Sequence, residues 1–493
     1  MTKTRTSNSH PLQIASITAD PGMGRIGVTF CPGKTQISAM SGIWSRDLAL
    51  DLDAIRDWGA AAVVTLIEDH EFAALKVEGL GAAVRARHMG WMHLPIRDVA
   101  VPDARFERAW ESAGAALRGL LRRGQDVLVH CKGGLGRAGT VAARLLVELG
   151  WDAEVAIQTA RAVRPGAIET GAQERHVRDA RPMGNEEPSR APIAMADRAR
   201  GALLGLAIGD ALGTTLEFKA RDTYAPLTDI VGGGPFGLKP GEWTDDTAMA
   251  LALAFSLEEC NRLDEADLMR RFIEWWRDGA YSCTGSCFDI GVTTSRALSR
   301  FERSGNPVAG DTSPTSAGNG SLMRLAPVAV RFAQHRRALA DAAARQSRTT
   351  HAAPEAVEAC VAYSAMLADA IMGMPLDLVL DRREEALGDR IGAIVEGSWR
   401  GKTRREIHAS GYVAHSLEAA LWSVARSTCF ADAVLTAANL GEDADTTAAI
   451  AGQLAGAVWG ESGIPAEWLD KLAWRERIVA VAGRLWEAGQ VEA

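Results

Sequence analysis

The sequence predicts two domains of different class, an α/β domain followed by a domain that is almost entirely helical. At 493 residues, the chain is too long for one ordinary hydrophobic core. Before residue 180, strand-like apolar runs alternate with helix-like stretches. From about residue 197 onward, Ala, Leu and Gly recur at helical spacing with almost no β-branched alternation, which favours closely packed helices.

A proline-rich stretch separates the two halves. The segment "RPMGNEEPSRAPIAMA" combines three prolines with mixed charge and no periodicity, which is typical of a linker. We therefore expect an N-terminal tail, a first domain, a linker and a second domain, over 1–19, 20–180, 181–196 and 197–490.

Composition excludes several classes of protein. A hydrophobic fraction of 47% with 24% charged residues indicates a globular chain, and the net charge of −8 argues against a nucleic-acid partner. Seven cysteines, an odd number, disfavour a disulfide framework and favour a reducing compartment. The tail has no apolar segment of a signal peptide, and Asp210 interrupts the longest apolar run. We expect a cytoplasmic protein with no membrane partner.

In the first domain, residues 60–67 and 126–130 are predicted strands, and 104–122 is a predicted helix. Cys131 directly follows the second strand, and "RAGTVAARLLVELG" after it has a helical pattern. The loop between them therefore joins a strand end to a helix N-terminus.

That loop has the features of an anion site. Its glycines allow successive backbone N–H groups to turn inward at the positive end of the helix dipole, and the same field favours a thiolate at Cys131. Arg137, six residues later, carries a guanidinium that binds two phosphoryl oxygens at once. The alternative is a buried cysteine before a glycine-rich turn, but the order of His, Cys, glycines, Arg and helix favours attack on a phosphate ester. The predicted phosphate-binding residues are Lys132, Gly133, Gly134, Leu135 and Gly136.

These residues resemble the cysteine-dependent protein phosphatases, with their signature of His-Cys, five residues and Arg, and most closely the cyclin-dependent-kinase-associated, dual-specificity type. The segments "LPIRDVAVPD" and "RAVRPGAIETGAQ" extend the resemblance over most of 20–180. It implies a central sheet flanked by helices, with Cys131 as nucleophile and Arg137 as phosphate ligand. The aspartate that protonates the leaving oxygen is best matched by Asp98, with Asp103 as the second candidate and a turn or cap as the structural alternative.

One residue departs from that family pattern. Ala138 stands where the family usually has a serine or threonine whose hydroxyl helps the cysteine to leave in the second step. Either Thr140 supplies the hydroxyl, or the domain captures phosphorylated partners with little turnover. The expected partners are a phosphorylated protein or a small phosphate ester.

The second domain contains two acidic clusters, "GEWTDDTAMALALAF" and "NLGEDADTTAAIAGQLAGAVWG", each preceding an apolar helical run. A helix cap explains one such side chain but not adjacent carboxylates. Carboxylates that converge in a core repel one another unless a cation is present. Carboxylate and hydroxyl oxygens select a hard ion, so we expect two divalent cations, Mg²⁺ or Mn²⁺.

Together with "GNGSLMR" between them, these clusters resemble the ADP-ribosylglycohydrolases, which include the dinitrogenase-reductase-activating glycohydrolase, over about 197–485. The resemblance implies an all-α orthogonal helix bundle with a binuclear metal centre, and Glu217 as the catalytic or metal-gating acid. The implied metal ligands are Thr244, Asp245, Asp246, Asp443, Asp445 and Thr446. The implied ADP-ribose contacts are Asp289 and Gly291 at the ribose, with Gly318, Asn319, Gly320, Ser321, Met323 and His351.

For His351, a buried core or cap histidine is the alternative. The motifs hold ADP-ribose but do not read the group it leaves, so arginine, serine and other attachments remain open. The whole chain is thus predicted to be a bifunctional hydrolase that removes ADP-ribose from a modified protein or conjugate and cleaves phosphate monoesters. The alternatives are a glycohydrolase with a phospho-binding targeting module, and a metal-dependent hydrolase of another nucleotide-linked glycoside.

Overall fold

A computed structural model describes residues 4–39, 42–184, 193–381 and 387–491. The chain divides into two compact units, one formed by residues 1–190 with 400–404 and the other by 191–399 with 405–493. Part of the predicted linker, 185–192, lies outside the described residues. Among the described helices, none combines the length and apolar character that crossing a bilayer requires.

The first unit is built on a five-stranded sheet in the order β1-β2-β7-β5-β6, in which only the edge strand β1 is antiparallel to its neighbour. Strands β3 and β4 form a separate hairpin. The strands are β1 Ala15–Thr18, β2 Arg25–Phe30, β3 Thr35–Ala39, β4 Gly42–Ser45, β5 Ala60–Thr65, β6 Gly90–His93 and β7 Asp126–Cys131.

The helices of the first unit cover the sheet as an α/β fold requires. They are α1 Leu48–Trp58, α2 Asp69–Leu75, α3 Leu80–Arg85, α4 Ala104–Arg122, α5 Gly136–Glu148, α6 Ala153–Val163 and α7 Gly171–Asp179. Both central strands, β5 and β7, are buried along their whole length, which explains their continuous apolar runs. The two predicted strands and the predicted helix at 104–122 are confirmed. The predicted N-terminal tail, 1–19, extends too far, because it contains β1.

The second unit is helical, as predicted. Its helices are α8 Met195–Gly213, α9 Asp245–Cys260, α10 Glu265–Asp278, α11 Val292–Ser304, α12 Ala326–Phe332, α13 Arg336–Thr350, α14 Pro354–Ile371, α15 Leu376–Val379, α16 Asp389–Val395, α17 Val413–Ala425, α18 Phe430–Ala438, α19 Ala444–Trp459, α20 Ala466–Lys471 and α21 Arg475–Val491. Helices α8, α9, α14, α17 and α19 are buried over most of their length and form the centre of one large core.

Helices α8 and α19 run antiparallel at very short distance. A Cβ on Gly205 would lie 2.1 Å from the carbonyl oxygen of Gly452, and a Cβ on Gly209 would lie 2.1 Å from that of Ala448. Gly201 and Gly213 face Gly456 and Ala444 in the same way. Glycine at every fourth position of α8 therefore removes the side chains that would separate the two backbones. This approach brings the C-terminal end of α8 to the N-terminus of α19, where the second acidic cluster lies.

Candidate active sites

In the first unit, the predicted phosphate loop leaves β7 at Cys131 and enters α5 at Gly136. The Cys131 thiol is buried and accepts a hydrogen bond from the Gly134 N–H at 3.2 Å. Gly134 has φ +68°, and a Cβ there would lie 2.4 Å from the carbonyl carbon of Thr29. Only glycine fits this position without strain. The loop thus curls around the sulfur.

The loop carbonyls are held by two basic side chains. Lys34 Nζ donates to the Lys132 carbonyl at 3.1 Å, and Arg164 donates to the carbonyls of Gly134 and Gly133 at 3.0 and 3.2 Å. Carbonyls that are bonded outward leave the N–H groups of the loop for an anion. Burial lowers the pKa of Lys34 to about 8, with opposing contributions from Cys31 and Cys131. Sequence reasoning missed Lys34, because it reaches the loop from the turn between β2 and β3, far away in sequence.

Arg137 is fixed before any ligand binds. Its guanidinium donates to both carboxylate oxygens of Glu71, at 2.6 and 3.1 Å, and to the Ile96 carbonyl at 3.0 Å. Burial raises the pKa of Glu71, but the hydrogen bonds from Arg137 and the Glu68 backbone, together with the charges of Arg137 and Lys132, outweigh it and hold that pKa below its usual value. Glu71, also missed from the sequence, lies on α2 and orients the arginine toward the loop.

The two candidate acids occupy different positions. Asp98 is half exposed and forms an ion pair with Arg137 at 3.0 Å, so its carboxyl lies at the mouth of the loop. Asp103 instead caps α4 by accepting the N–H groups of Arg105 and Phe106, each at 2.9 Å. The geometry therefore favours Asp98 as the proton donor.

No hydroxyl occupies the position after the arginine. Ala138 is fully buried, and the Thr140 hydroxyl donates to the Gly136 carbonyl at 2.8 Å, within its own helix. Thr140 shows no hydrogen bond to Cys131, within the described residues. The structure thus gives no support to Thr140 as the replacement.

In the second unit, both acidic clusters meet at helix N-termini. The Thr244 hydroxyl lies 3.4 Å from Asp246 Oδ2 and 3.5 Å from Asp445 Oδ2, and the Thr446 hydroxyl lies 3.3 Å from Asp246 Oδ2. One carboxylate oxygen each from Glu217, Asp289 and Asp445 lies within 4.8 Å of the other two. The predicted ligands thus converge from α9 and α19 on one place.

The cluster contains seven carboxyl groups whose pKa values are all raised. Burial is the largest cause in every case, and for most of them repulsion by the neighbouring acids adds to it. Burial, together with Asp445, raises the pKa of Glu217 to about 11, and burial, together with Asp210, raises that of Asp289 to about 7. The members are Asp210, Glu217, Asp245, Asp246, Asp289, Asp443 and Asp445.

The donor set fits a hard divalent cation. Asp246 Oδ1 and Glu217 Oε2 are buried and have no hydrogen-bond partner in the described parts of the chain. Such orphaned oxygens are costly unless something positive faces them. Carboxylate and hydroxyl oxygens with no nitrogen or sulfur ligand match Mg²⁺ or Mn²⁺.

Asp210, which the sequence presented only as an interruption of α8, holds the cluster together. Its carboxylate accepts the backbone N–H and the hydroxyl of Thr244, both at 2.9 Å, and those of Thr247, at 3.0 and 2.6 Å. Because the Thr244 proton goes to Asp210, the lone pairs of that hydroxyl remain for a cation.

Asp289 lies within the acidic cluster. Its carboxylate joins those of Glu217 and Asp445, and its backbone has a φ of +59°. The ribose contact predicted for Asp289, beside Gly291, which precedes α11, stays a prediction. Its position adds a carboxylate to the groups that could hold a cation.

The glycine loop at 318–323 borders the cluster, but its side chains divide between the cluster and the core. Asn319 Nδ2 donates to Asp443 Oδ2 at 2.6 Å, so it orients a predicted ligand. The Ser321 hydroxyl is fully buried against Ser347, and Met323 packs in the core. Neither side chain faces a ligand, so the carry-over to Ser321 and Met323 holds at most for their backbone.

His351 lies at the edge of that loop. A Cβ on Gly320 would come within 2.7 Å of the imidazole Cε1 and 3.0 Å of Nε2, and one on Gly318 within 3.3 Å of Nε2. A second loop joins the site from the other side, since the Asn319 N–H donates to the Gly411 carbonyl and the Asp443 N–H to that of Ala409. No sequence pattern indicated this loop, because its contribution comes from the backbone.

Comparison with known proteins assigns the two units. The family model for ADP-ribosylglycohydrolases matches residues 191–493, and that for the Swiss Army Knife protein DSP-PTPase phosphatase domain matches residues 36–177. ADP-ribosylarginine hydrolase Tri1 of Pseudomonas putida is 47% identical over 303 residues, which cover 61% of this chain and 81% of the relative. The ADP-ribosyl-[dinitrogen reductase] glycohydrolase of Rhodospirillum rubrum is 35% identical over 280 residues, 56% of this chain and 90% of the relative.

A solved structure agrees with this assignment. The chain aligns with an ADP-ribosylglycohydrolase-related protein complex at 40% identity and a TM-score of 0.54, over 60% of this chain and 99% of that one. The acidic cluster at the ends of α9 and α19 therefore stands in a fold shared with these hydrolases. The chain belongs to the ADP-ribosylglycohydrolase family and carries a dual-specificity-type phosphatase domain ahead of its glycohydrolase domain.

Proposed function

We propose that the second domain removes ADP-ribose from arginine side chains of modified proteins and depends on Mg²⁺ or Mn²⁺ to do so. The observation that carries this proposal is the cluster of seven carboxyl groups, five of them buried, in which Asp246 Oδ1 and Glu217 Oε2 have no protein partner among the described residues. The arginine linkage is supported by the Pseudomonas putida relative, which is named an ADP-ribosylarginine hydrolase.

The residues of the cluster divide the work. Thr244, Asp245, Asp246, Asp443, Asp445 and Thr446 would hold two divalent cations, and these would supply a Lewis acid for the ribose hydroxyls next to the scissile bond. Asp289 contributes its carboxylate to the same cluster. The loop at 318–320 and His351 bind the rest of the ADP-ribose, which fixes the anomeric carbon relative to Glu217.

Glu217 is the general acid and base. Without a cation, burial and the charge of Asp445 raise the pKa of its carboxyl, and in the reaction this carboxyl carries the proton that the leaving nitrogen needs. It passes that proton to the guanidine nitrogen as the glycosidic bond breaks and takes one from the attacking water. The products are ADP-ribose and an unmodified arginine.

Release of ADP-ribose from two model proteins, one modified on arginine and one on serine, tests this proposal. We expect release from the arginine conjugate that requires Mg²⁺ or Mn²⁺ and is lost in Asp245→Asn. Release from the serine conjugate alone would show that the enzyme cleaves the serine linkage and not the arginine linkage. Release from neither would indicate that the substrate is another ADP-ribosyl or nucleotide conjugate. Full activity after chelation would contradict the metal dependence.

The first domain supports a second activity, cleavage of phosphate monoesters. The observation that favours it is the preassembled loop, in which the Gly134 N–H points at the Cys131 sulfur and Glu71 holds Arg137. Cys131 attacks phosphorus, Asp98 protonates the leaving oxygen, and water then releases phosphate from the phospho-cysteine.

Single-turnover and steady-state assays with p-nitrophenyl phosphate and a phosphopeptide separate catalysis from binding. Because Ala138 offers no hydroxyl, we expect a burst of product followed by slow turnover. Absence of any product, together with phosphopeptide binding by Cys131→Ser, would establish a targeting module instead. Steady turnover without a burst would show that hydrolysis of the intermediate is not limiting.

A further inference from the structure

Arg324 is a buried guanidinium with an unusual set of partners. It is fully buried, lies over the Phe272 ring at 4.6 Å and forms no ion pair with a carboxylate, in the parts of the chain that the structure describes. Its hydrogen bonds go to the side chain and carbonyl of Gln346 and to the hydroxyls of Thr349 and Thr350. A charge kept in a core without a counter-ion is costly, so its retention calls for a reason.

The Thr350 hydroxyl connects Arg324 to His351. Arg324 Nη2 donates to the Thr350 hydroxyl oxygen at 2.9 Å, and that oxygen lies 2.8 Å from His351 Nδ1. A guanidinium has only donors, so the Thr350 oxygen must accept from it. The Thr350 hydroxyl proton then has Nδ1 of His351 as its acceptor, and no other acceptor for it lies within hydrogen-bond distance among the described residues.

This polarity decides the tautomer of the imidazole. A ring that accepts at Nδ1 carries its proton at Nε2. Burial, followed by the nearby Arg324 charge, lowers the pKa of His351 to about 3, which is consistent with a neutral ring. Nε2 has no protein partner within the described residues, and it lies beside the two glycines of the 318–320 loop.

We infer that Arg324 and Thr350 are positioning residues that lock His351 as an Nε2–H donor, aimed at an acceptor oxygen of the bound nucleotide diphosphate. A phosphate oxygen has no proton to give at neutral pH, so it needs a donor, whereas the other tautomer would present a lone pair and repel it. The hydrogen bonds from Arg324 through Thr350 to His351 therefore favour an anionic oxygen at Nε2. This inference rests on the proposed function for the identity of the ligand but not for the tautomer.

The tautomer is measurable in the free protein by NMR of selectively ¹⁵N-labelled histidine, with the His351 signals assigned by their loss in His351→Gln. We expect the Nε2–H form in the wild type. In Thr350→Val, which has nearly the same shape but no hydroxyl, we expect the Nδ1–H form to become populated. Thr350→Ser, which keeps the hydroxyl, should restore the wild-type spectrum.

The second readout is the Kd for ADP-ribose by calorimetry. We expect about a tenfold weakening in Thr350→Val, as the loss of one hydrogen bond to a charged group predicts. The matched control is Thr349→Val, because Thr349 also contacts Arg324 but does not touch His351. An Nδ1–H wild type, or equal weakening in Thr349→Val and Thr350→Val, would overturn the inference. If the wild type binds no ADP-ribose, the proposed function fails. The tautomer of His351 then still tests whether Arg324 and Thr350 position the ring.

Discussion

The carboxylate of Asp210 accepts four hydrogen bonds, which leaves it no lone pair for a cation. It acts on the acidic cluster through Thr244, whose hydroxyl donates a hydrogen bond to it. A residue of this kind sets ligand orientation without being a ligand, and such outer partners commonly change metal affinity by about 10- to 100-fold.

We therefore expect Asp210→Asn to weaken Mn²⁺ binding by at least about tenfold, because one amide N–H₂ would face a donor of Thr244 or Thr247. Titration followed by electron paramagnetic resonance measures this directly. Thr247→Ser, which keeps the hydroxyl donor, is the control and should bind Mn²⁺ like the wild type. Unchanged affinity in Asp210→Asn would show that Thr244 orients itself without help.

Asp98 and Asp103 differ in what they touch, so they should differ in effect. We expect Asp98→Asn to lower the rate of phosphate ester cleavage by about 10²-fold or more, because the leaving oxygen loses its proton donor. Asp103→Asn should change it little, since Asn is as good a helix cap as Asp. Rates with p-nitrophenyl phosphate across pH test both. A larger loss in Asp103→Asn would reverse the assignment.

At the scale of helices and strands, the approach of α8 to α19 controls the site. We expect Gly205→Ala to destabilise the second domain by about 1–3 kcal/mol, because the added methyl meets the Gly452 carbonyl oxygen at 2.1 Å. It should also weaken cation binding, since α19 carries Asp445. Calorimetric unfolding with and without Mg²⁺ measures both effects.

The matched control for this change is Gly483→Ala at a half-buried position of α21. A Cβ at Gly483 meets nothing within 4 Å, so alanine should be neutral or stabilise the helix by up to about 1 kcal/mol. Equal destabilisation by both substitutions would show that the short distance between α8 and α19 has no special role.

Sequence patterns predicted elements well where burial is uniform. The strands at 60–67 and 126–130 and the helix at 104–122 appear almost as predicted, because continuous apolar runs and helical periodicity are local properties. β1 was missed, since a short edge strand of four residues lacks both signals. Motifs also brought the acids of α9 and α19 into one site.

The residues that sequence reasoning missed share a different origin. Glu71, Lys34 and Asp210 act on the sites only through contacts between elements distant in sequence. The roles of Asp289 and Ser321 were inferred from a match of position, which does not give the directions of their side chains. Direction of a side chain depends on packing, which no spacing rule contains.

On the scale of the whole molecule, the acidic cluster links stability to pH. Without a cation, its carboxyl groups have folded-state pKa values above their unfolded values of about 4, so the folded state binds more protons. The corresponding stability is fully present below about pH 4 and is lost as pH rises through the folded pKa values, such as about 7 for Asp289.

We therefore expect the Tm of the metal-free second domain to decrease as the pH rises from 5 to 8. The increase of Tm on adding Mg²⁺ should become larger over the same range. Calorimetry at several pH values in EDTA and in Mg²⁺ tests this. Glu217→Gln, which removes one of the raised groups, should reduce the slope. An increase of Tm that does not vary with pH would contradict the expectation.

The two proposed activities are assigned to units with separate hydrophobic cores. We expect Cys131→Ser to abolish phosphate release and leave ADP-ribose release unchanged, and Asp245→Asn to do the reverse. Parallel assays of both products on the full chain test this. A change of more than about twofold in the untouched activity would instead reveal coupling between the domains, since coupling free energies of about 1 kcal/mol or more give fivefold effects.

The glycines of α8 also bear on how this chain tolerates genetic variation. A complete scan of single substitutions should show an intolerant stripe at every fourth residue from Gly201 to Gly213, because each side chain added there meets a backbone oxygen of α19 or a main-chain atom beside it. The nearest atoms that such a side chain meets belong to the backbone of α19, which no substitution makes smaller. A second substitution on the facing helix would therefore not rescue the first. A survey that ranked positions by chemical function alone would overlook some of the most constrained sites in the protein.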